Sequence, residues 1–318
     1  MTITNQKSNN SILVLDGYNL IYRARYSGRN TGEFTTVFNF FRSLRSIIEK
    51  FNPDLCYFVL EGRPVKRLSI DSNYKGQRTY HNKDNFQEQR RKIIEITKNL
   101  LPVIVVKHDD YECDDVANFL ANEKHANDIV TIVSTDTDFI QSINEKTRVF
   151  NPIKKDYFRS PDYDYVMWKS LVGDKSDNII GFTGIGNKRA IKLLESKEKL
   201  EDFLSSEENS QKFARNNTMI RFHDLNDDIN EIKYYNKILI EGYIDWEQIK
   251  SEFSFMGFKS IVEKEKSWNK FKNTFEKLLE GEKNVRSSAT AWNVTKSKIT
   301  KHNLREWGCN KCWWSFLC

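Results

Sequence analysis

The chain has 318 residues, 39% of them hydrophobic and 13% aromatic, which is enough for one large domain or two modest ones and excludes a disordered or fibrous protein. Its formal net charge of +6 is uneven: residues 281–318 hold seven Lys or Arg against two acids, so the body before them is nearly neutral, and overall basicity is weak evidence for a nucleic-acid partner. That tail also carries three of the five Cys; only Cys56 and Cys113 lie elsewhere, so the body has no disulfide framework and fits a reducing, cytoplasmic setting.

After a polar start, residues 12–15 (ILVL) form an apolar run closed by Asp16 and Gly17. It is too short for a signal peptide or a membrane helix and predicts a buried strand. Four more strands are expected at 56–60, 103–106, 129–133 and, more weakly, 147–150, with helical periodicity at 37–50, 86–101 and 114–122. Strands alternating with helices predict an α/β fold with a parallel sheet. Carboxylates follow three of the strands, at Asp16, at Glu61, and at Asp136 with Asp138. One Asp after a strand is ordinary turn chemistry. The whole set would meet outside the carboxyl ends of parallel strands, where open α/β sheets bind ligands.

Between the second and third strands, residues 74–100 hold seven basic residues against three acids, with Tyr74, Tyr80 and Phe86 interleaved. Charge with exposed aromatics suits a nucleic-acid strand, although a charge run is by itself more often a solvated helix face. Next come Glu112, Asp114 and Asp115 at the start of a helix. One acid there caps a helix; three in four residues would raise one another's pKa unless a hard cation such as Mg²⁺ joins them.

A helix at 165–173, with Val166, Met167 and Leu171 inward, leads to Asp174 and Asp177, which share a face if the backbone there is helical. Gly184-Ile185-Gly186 then precedes Asn187, Lys188 and Arg189. Neither a dinucleotide loop nor a Walker A loop fits this spacing. A helix-hairpin-helix does, its free N–H groups facing a phosphate at the second helix's start. Residues 195–210 read as polar helix and loop. Residues 220–275, including 234–240, read as helices packed behind the hairpin, with no assignable chemistry. The five His form no spaced ligand set. Cys309, Cys312, Cys318 and His302 offer zinc-binding atoms, but their spacing matches no strong template, and a basic-aromatic extension fits the tail better.

The motifs VLDGYN (14–19), Arg67 with NYKGQR (73–78), YECDD (111–115), STDTDF (134–139) and GDKSDNIIGFTGIGNKRA (173–190) occur in one order that resembles the 5′-nucleases. This family includes bacteriophage 5′–3′ exonucleases and flap endonucleases and the 5′-nuclease domain of bacterial DNA polymerase I. The resemblance implies a PIN-like α/β domain (11–160) with a helical arch (74–100), then a helix-hairpin-helix and helical region (161–280), and leaves 281–318 as an atypical tail. By matching position it implies a metal site of Asp16, Glu61, Glu112, Asp114, Asp115, Asp136, Asp138, Asp174 and Asp177, with Glu61 standing where the family usually has Asp.

It further implies catalytic roles for Lys75, Arg78, Asp16 and Asp136, and DNA contacts from Arg67, Tyr74, Gly184, Gly186, Lys188 and Arg189. Two or more Mg²⁺ or Mn²⁺ ions are expected, with K⁺ at the hairpin. The expected substrate is a branched or nicked duplex or an RNA–DNA hybrid, and the expected enzyme is a monomer working beside replication proteins. A single-strand PIN ribonuclease would not need the hairpin or the Asp174/Asp177 pair, and a non-catalytic junction binder would not need the acids.

Overall fold

A computed structural model of the chain describes residues 9–27, 32–78, 85–225 and 227–288; Tyr80, His302, Cys309, Cys312 and Cys318 lie outside the described residues. The first apolar run becomes β1 (Ser11–Asp16), followed by α1 (Gly17–Tyr26), α2 (Thr35–Phe51), β2 (Leu55–Val59), α3 (Val65–Ile70), α4 (Phe86–Leu100) and β3 (Ile104–Lys107). Then come α5 (Cys113–Phe119), β4 (Ile129–Val133), β5 (Thr147–Asn151) and β6 (Asp156–Tyr157). The sheet has seven strands in the order β6-β5-β4-β1-β2-β3, with a late strand outside β3. Strands β1 to β5 pair in parallel, so their carboxyl ends share one edge, and β6 is antiparallel. Alternate residues of β1 enter opposite cores: Leu13 and Leu15 face α2, while Ile12 and Val14 face α5.

The second half begins with α6 (Tyr165–Val172), a two-strand hairpin β7 (Gly173–Asp174) and β8 (Ile179–Ile180), then α7 (Asn187–Leu194), α8 (Lys197–Phe203) and α9 (Glu207–Ile220). Leu171, Phe182, Ile185 and Ala190 form a small core joining α6 to α7 across the glycine turn. Gly184 takes φ +74°, the left-handed region that a side chain disfavours.

Three expectations are corrected here. Residues 233–235 form β9 (Lys233–Tyr235), antiparallel to β3 at the sheet edge, ahead of α10 (Lys237–Glu241). The last helices, α11 (Trp246–Phe255), α12 (Lys259–Val262) and α13 (Glu265–Ser288), pack on α2 and not behind the glycine hairpin. Phe41 meets Phe253 at 5.3 Å and Phe38 meets Phe258 at 5.4 Å between ring centroids. A periodicity argument identifies a helix's apolar stripe but not the distant surface that stripe will cover. Likewise, α4 buries Phe86, Ile93, Ile96 and Leu100 in the same core, so this part of the expected arch is a crossover helix between β2 and β3.

No helix among the described residues is long and apolar enough to cross a membrane. Phe253 is fully buried between Phe41, Phe258 and Phe271. Phe253→Ala is expected to cost about 3–5 kcal/mol, measured as a lowered urea midpoint. A loss below about 1 kcal/mol would show that α11 to α13 do not share the sheet's core.

Candidate metal centre

The sheet's carboxyl edge collects the acids. Asp16 ends β1, caps α1 by accepting from the Asn19 amide at 3.2 Å, and accepts from the Ser134 hydroxyl at 2.7 Å. Glu61 follows β2 and accepts from the Cys113 amide at 3.1 Å. Its neighbour Gly62 lies so close to the 108–111 loop that a Cβ would meet the His108 carbonyl at 2.0 Å, which is how the Glu61 loop is drawn against the start of α5. Asp136 follows β4 and accepts from the Asp138 amide at 2.9 Å.

Asp174 and Asp177 arrive from the other half. They meet across the β7–β8 turn and not on a helix, with Asn178 at φ +62° closing that turn. Oxygens of Asp138, Asp174 and Asp177 lie within 4.8 Å of one another. These three, with Asp114, Asp136, Lys75 and Arg78, line a cleft of about 290 Å³.

The electrostatics separate an inner from an outer group. Burial pushes Asp16 up to about 6. Burial, then the adjacent Glu112, pushes Glu61 up to about 7. Asp114 is raised well above the ordinary carboxylate range by burial and then by Asp136, Asp16 and Glu61. In the outer group, burial raises Asp138 although Lys169 pulls the other way. Burial also opposes ionisation of Asp174, but hydrogen bonds from Lys169 and Ser176 hold it below the usual range. Buried carboxylates of all-oxygen donor type, pushed away from ionisation by one another, are what a hard divalent cation relieves, so these residues fit such an ion.

Three cations already answer part of this charge. Lys169 on α6 bridges Asp138 and Asp174, at 2.5 Å from the latter. Lys75 pairs with Glu112 and lies 3.8 Å from Asp177, and its backbone sits at φ +56°, a strained region for a side-chain-bearing residue. Arg78 meets Asp177 at 2.6 Å from the cleft's exposed rim.

Arg67 is placed otherwise than expected. It is 3% exposed, and its guanidinium grips Asp115 at 2.6 and 2.9 Å, Glu112 at 2.8 Å, and the Met219 carbonyl at 2.9 Å. No face is left for DNA. Asp115 is fully buried and also accepts from the His223 amide, so it serves this cross-link and not the cleft. Glu112 is likewise taken up by Arg67, Tyr74 and Lys75. Tyr74 is 5% exposed, with its hydroxyl between Glu112 and Asp177, and Phe86 is buried too, so neither offers a stacking face.

Gly184, Gly186, Lys188 and Arg189 do stand on the surface, with Gly186 extended as the residue capping α7. Sequence reading missed Lys169, Ser134 and Tyr165, the last donating to Asp138 at 3.2 Å. The one signal for Lys169 was its place among inward positions of an apolar helix. Arg67→Met is expected to cost about 3–5 kcal/mol, the scale for breaking a buried ion pair, read as a urea midpoint; unchanged stability with lost DNA affinity would return Arg67 to a binding role.

Residues 11–169 match the family model of the 5′-3′ exonuclease N-terminal resolvase-like domain, and residues 161–251 match that of the 5′-3′ exonuclease C-terminal SAM fold. A 5′-3′ exonuclease of Aquifex aeolicus is 30% identical over 252 residues, covering 73% of this chain and 84% of that protein. DNA polymerase I of Lactococcus lactis subsp. cremoris is 28% identical over 228 residues, 63% of this chain but only 25% of the polymerase. Among solved structures, a bacteriophage T5 protein co-crystallized with metal ions shares the fold at a TM-score of 0.57 and 19% identity, covering 66% of this chain and 89% of that one. With both domain models matched in order and the relative from A. aeolicus similar over most of its length, this chain belongs to the 5′-3′ exonuclease family and is a 5′-nuclease.

Proposed function

We propose that the chain is a divalent-metal-dependent, structure-specific nuclease that hydrolyses phosphodiester bonds at 5′ ends or flaps of branched or nicked duplexes, RNA primers on DNA included. The observation that carries this reading is the cleft itself, where Asp114, Asp136, Asp138, Asp174 and Asp177 face Lys75 and Arg78. Asp16, Glu61, Asp114 and Asp136 would hold metal on the sheet side, and Asp138, Asp174 and Asp177 on the hairpin side. Two or more Mg²⁺ or Mn²⁺ ions would supply an activated water and neutralise charge at the leaving oxygen.

Lys75 and Arg78 orient and neutralise the scissile phosphate. Gly184, Gly186, Lys188 and Arg189 grip the duplex backbone without reading its sequence, with K⁺ as a further expected ion at that hairpin. Asp174 and Asp177 lie on the short stretch leading into the hairpin, so the grip and the cut are separated by a fixed length of chain. The acids and the hairpin together favour this reading over a single-strand ribonuclease. The enzyme is read as a monomer working beside replication proteins, and a reducing, cytoplasmic setting fits the buried free Cys56 and Cys113.

Mg²⁺-dependent cleavage of an end-labelled 5′-flap duplex is the direct test. Asp136→Asn and Asp174→Asn are each expected to lower kcat by roughly 10²–10³-fold, the scale for losing one electrostatic contributor. Wild-type rates in both would overturn the site assignment. A linked expectation concerns pH. Asp16 and Glu61 titrate near 6 and 7 in the fold against ordinary values of 3.8 and 4.5. The folded protein therefore binds more protons than the unfolded chain across that window, so their contribution falls as pH rises through it. In chelator, Tm should fall between about pH 4.5 and 7.5, and Mn²⁺ should raise Tm more at pH 7.5 than at pH 5 because it binds the ionised acids. A metal-induced shift independent of pH would contradict this.

A further inference from the structure

A second cavity, about 420 Å³, lies between α1 and α2 and shares no lining residue with the acidic cleft. Its size is that of a small-ligand pocket. On α2, Val37, Phe41, Leu44 and Ile48 face the core, while Asn39, Arg42, Ser43 and Ser46 recur at helical spacing on a second, polar face that lines the cavity. Arg45 joins them from α2 and Arg23 from α1.

The three guanidiniums are held in different ways. Arg23 is fixed by donating to the Ser43 hydroxyl at 3.1 Å and to the Pro152 carbonyl at 3.2 Å. Arg42 stands over the Phe38 ring at 5.7 Å. Arg45 pairs with Glu49 at 2.6 Å. Among the described residues lining the cavity none is acidic, and Glu49 beside Arg45 is shared with Lys270 at 2.7 Å, so the positive charge of the three guanidiniums is left largely unanswered. Guanidinium forks converging with serine hydroxyls are the donor set that phosphate oxygens accept.

Asn39 holds the cavity's two helices together. Asn39 is 3% exposed, and its amide nitrogen donates to the Ala24 carbonyl at 3.2 Å. Its Oδ1 is buried and has no hydrogen-bond partner. Asn39 thus ties α2 to α1 behind the cavity, and the cavity's donors are the guanidiniums and serine hydroxyls.

The location also matters. Pro152 follows β5 at the sheet's carboxyl edge, and Arg23 is seven residues beyond Asp16 along α1, roughly 10 Å at 1.5 Å per residue. A nucleotide end near the metal centre is within reach.

We propose that this cavity is a second, metal-independent site for the phosphate monoester of a nucleotide. A monoester carries close to two negative charges at neutral pH and so answers the three guanidiniums better than a backbone diester, which carries one. The nucleotide part of the proposal rests on the nuclease reading; the phosphate part does not. The monoester has two sources, a released mononucleotide or the phosphorylated end of a strand.

Calorimetry on the full chain in EDTA tests this without any metal-borne phosphate binding. The probes are inorganic phosphate, dAMP, and one oligonucleotide with a 5′-phosphate or a 5′-hydroxyl. dAMP is expected to bind wild type and Asp136→Asn alike, and to bind Arg42→Gln and Arg45→Gln at least tenfold more weakly at unchanged Tm. A tenfold preference for the 5′-phosphorylated oligonucleotide would identify the strand end as the source; binding of dAMP alone would identify the released nucleotide. Absence of dAMP binding at millimolar concentration, or equal binding by wild type and both arginine variants, would overturn the proposal. Flap cleavage, measured separately, decides the nuclease reading, so failure of one does not count as failure of the other.

Discussion

Like-charge repulsion at one sheet edge is the constraint that the structure is organised around. A parallel sheet delivers Asp16, Glu61 and Asp136 to the same side, and the start of α5 adds Glu112, Asp114 and Asp115. Such crowding in a partly dry site is unfavourable unless positive charge comes with it. Arg67 supplies it from beneath, dividing its guanidinium between Asp115 and Glu112. Lys75 and Lys169 supply it from the loop before α4 and from α6. With Arg78 on Asp177 at the rim, four cations arrange the acids, and the acids left least compensated, Asp16, Glu61 and Asp114, are each raised first by burial.

This division explains why neighbouring acids have different fates. Asp114 and Asp115 are adjacent, yet Asp114 faces the cleft while Asp115 is sealed behind it by Arg67 and the His223 amide. Arg67 also accepts the burden of joining the two halves, since it donates to the Met219 and Arg221 carbonyls at the end of α9. The helix-hairpin-helix region is therefore tied to the acidic edge by Arg67 from below, by Lys169 reaching Asp138 at the cleft, and by Tyr74, Lys75 and Arg78 on Asp177.

Much of the site was legible in the sequence because its signals are local. Apolar runs ended by acids identify strands and the carboxylates at their carboxyl ends, and Gly184 with Gly186 ahead of Lys188 identifies the hairpin. What was illegible depends on contacts between distant segments. Asp174 and Asp177 were expected to share a helical face, but a tight β-turn brings them together. Lys169 was passed over because a lysine on a helix is assumed to face water. Arg67 and Tyr74 looked like nucleic-acid contacts because type and position do not reveal burial. The placement of α11 to α13 on α2 rests on ring packing among Phe38, Phe41, Phe253 and Phe258, which no periodicity encodes.

The central claim is that the cleft holds divalent ions through Asp114, Asp136, Asp138, Asp174 and Asp177, with Asp115 reserved for Arg67. A crystal structure of the protein soaked in Mn²⁺, with the ions located by anomalous scattering, tests it most directly. Two or more peaks are expected among those five carboxylates, with the Lys169 ammonium drawn away from Asp138 or Asp174 and the Arg67–Asp115 pair intact. An empty cleft at saturating Mn²⁺, or an ion bound by Asp115 in place of Arg67, would contradict the account.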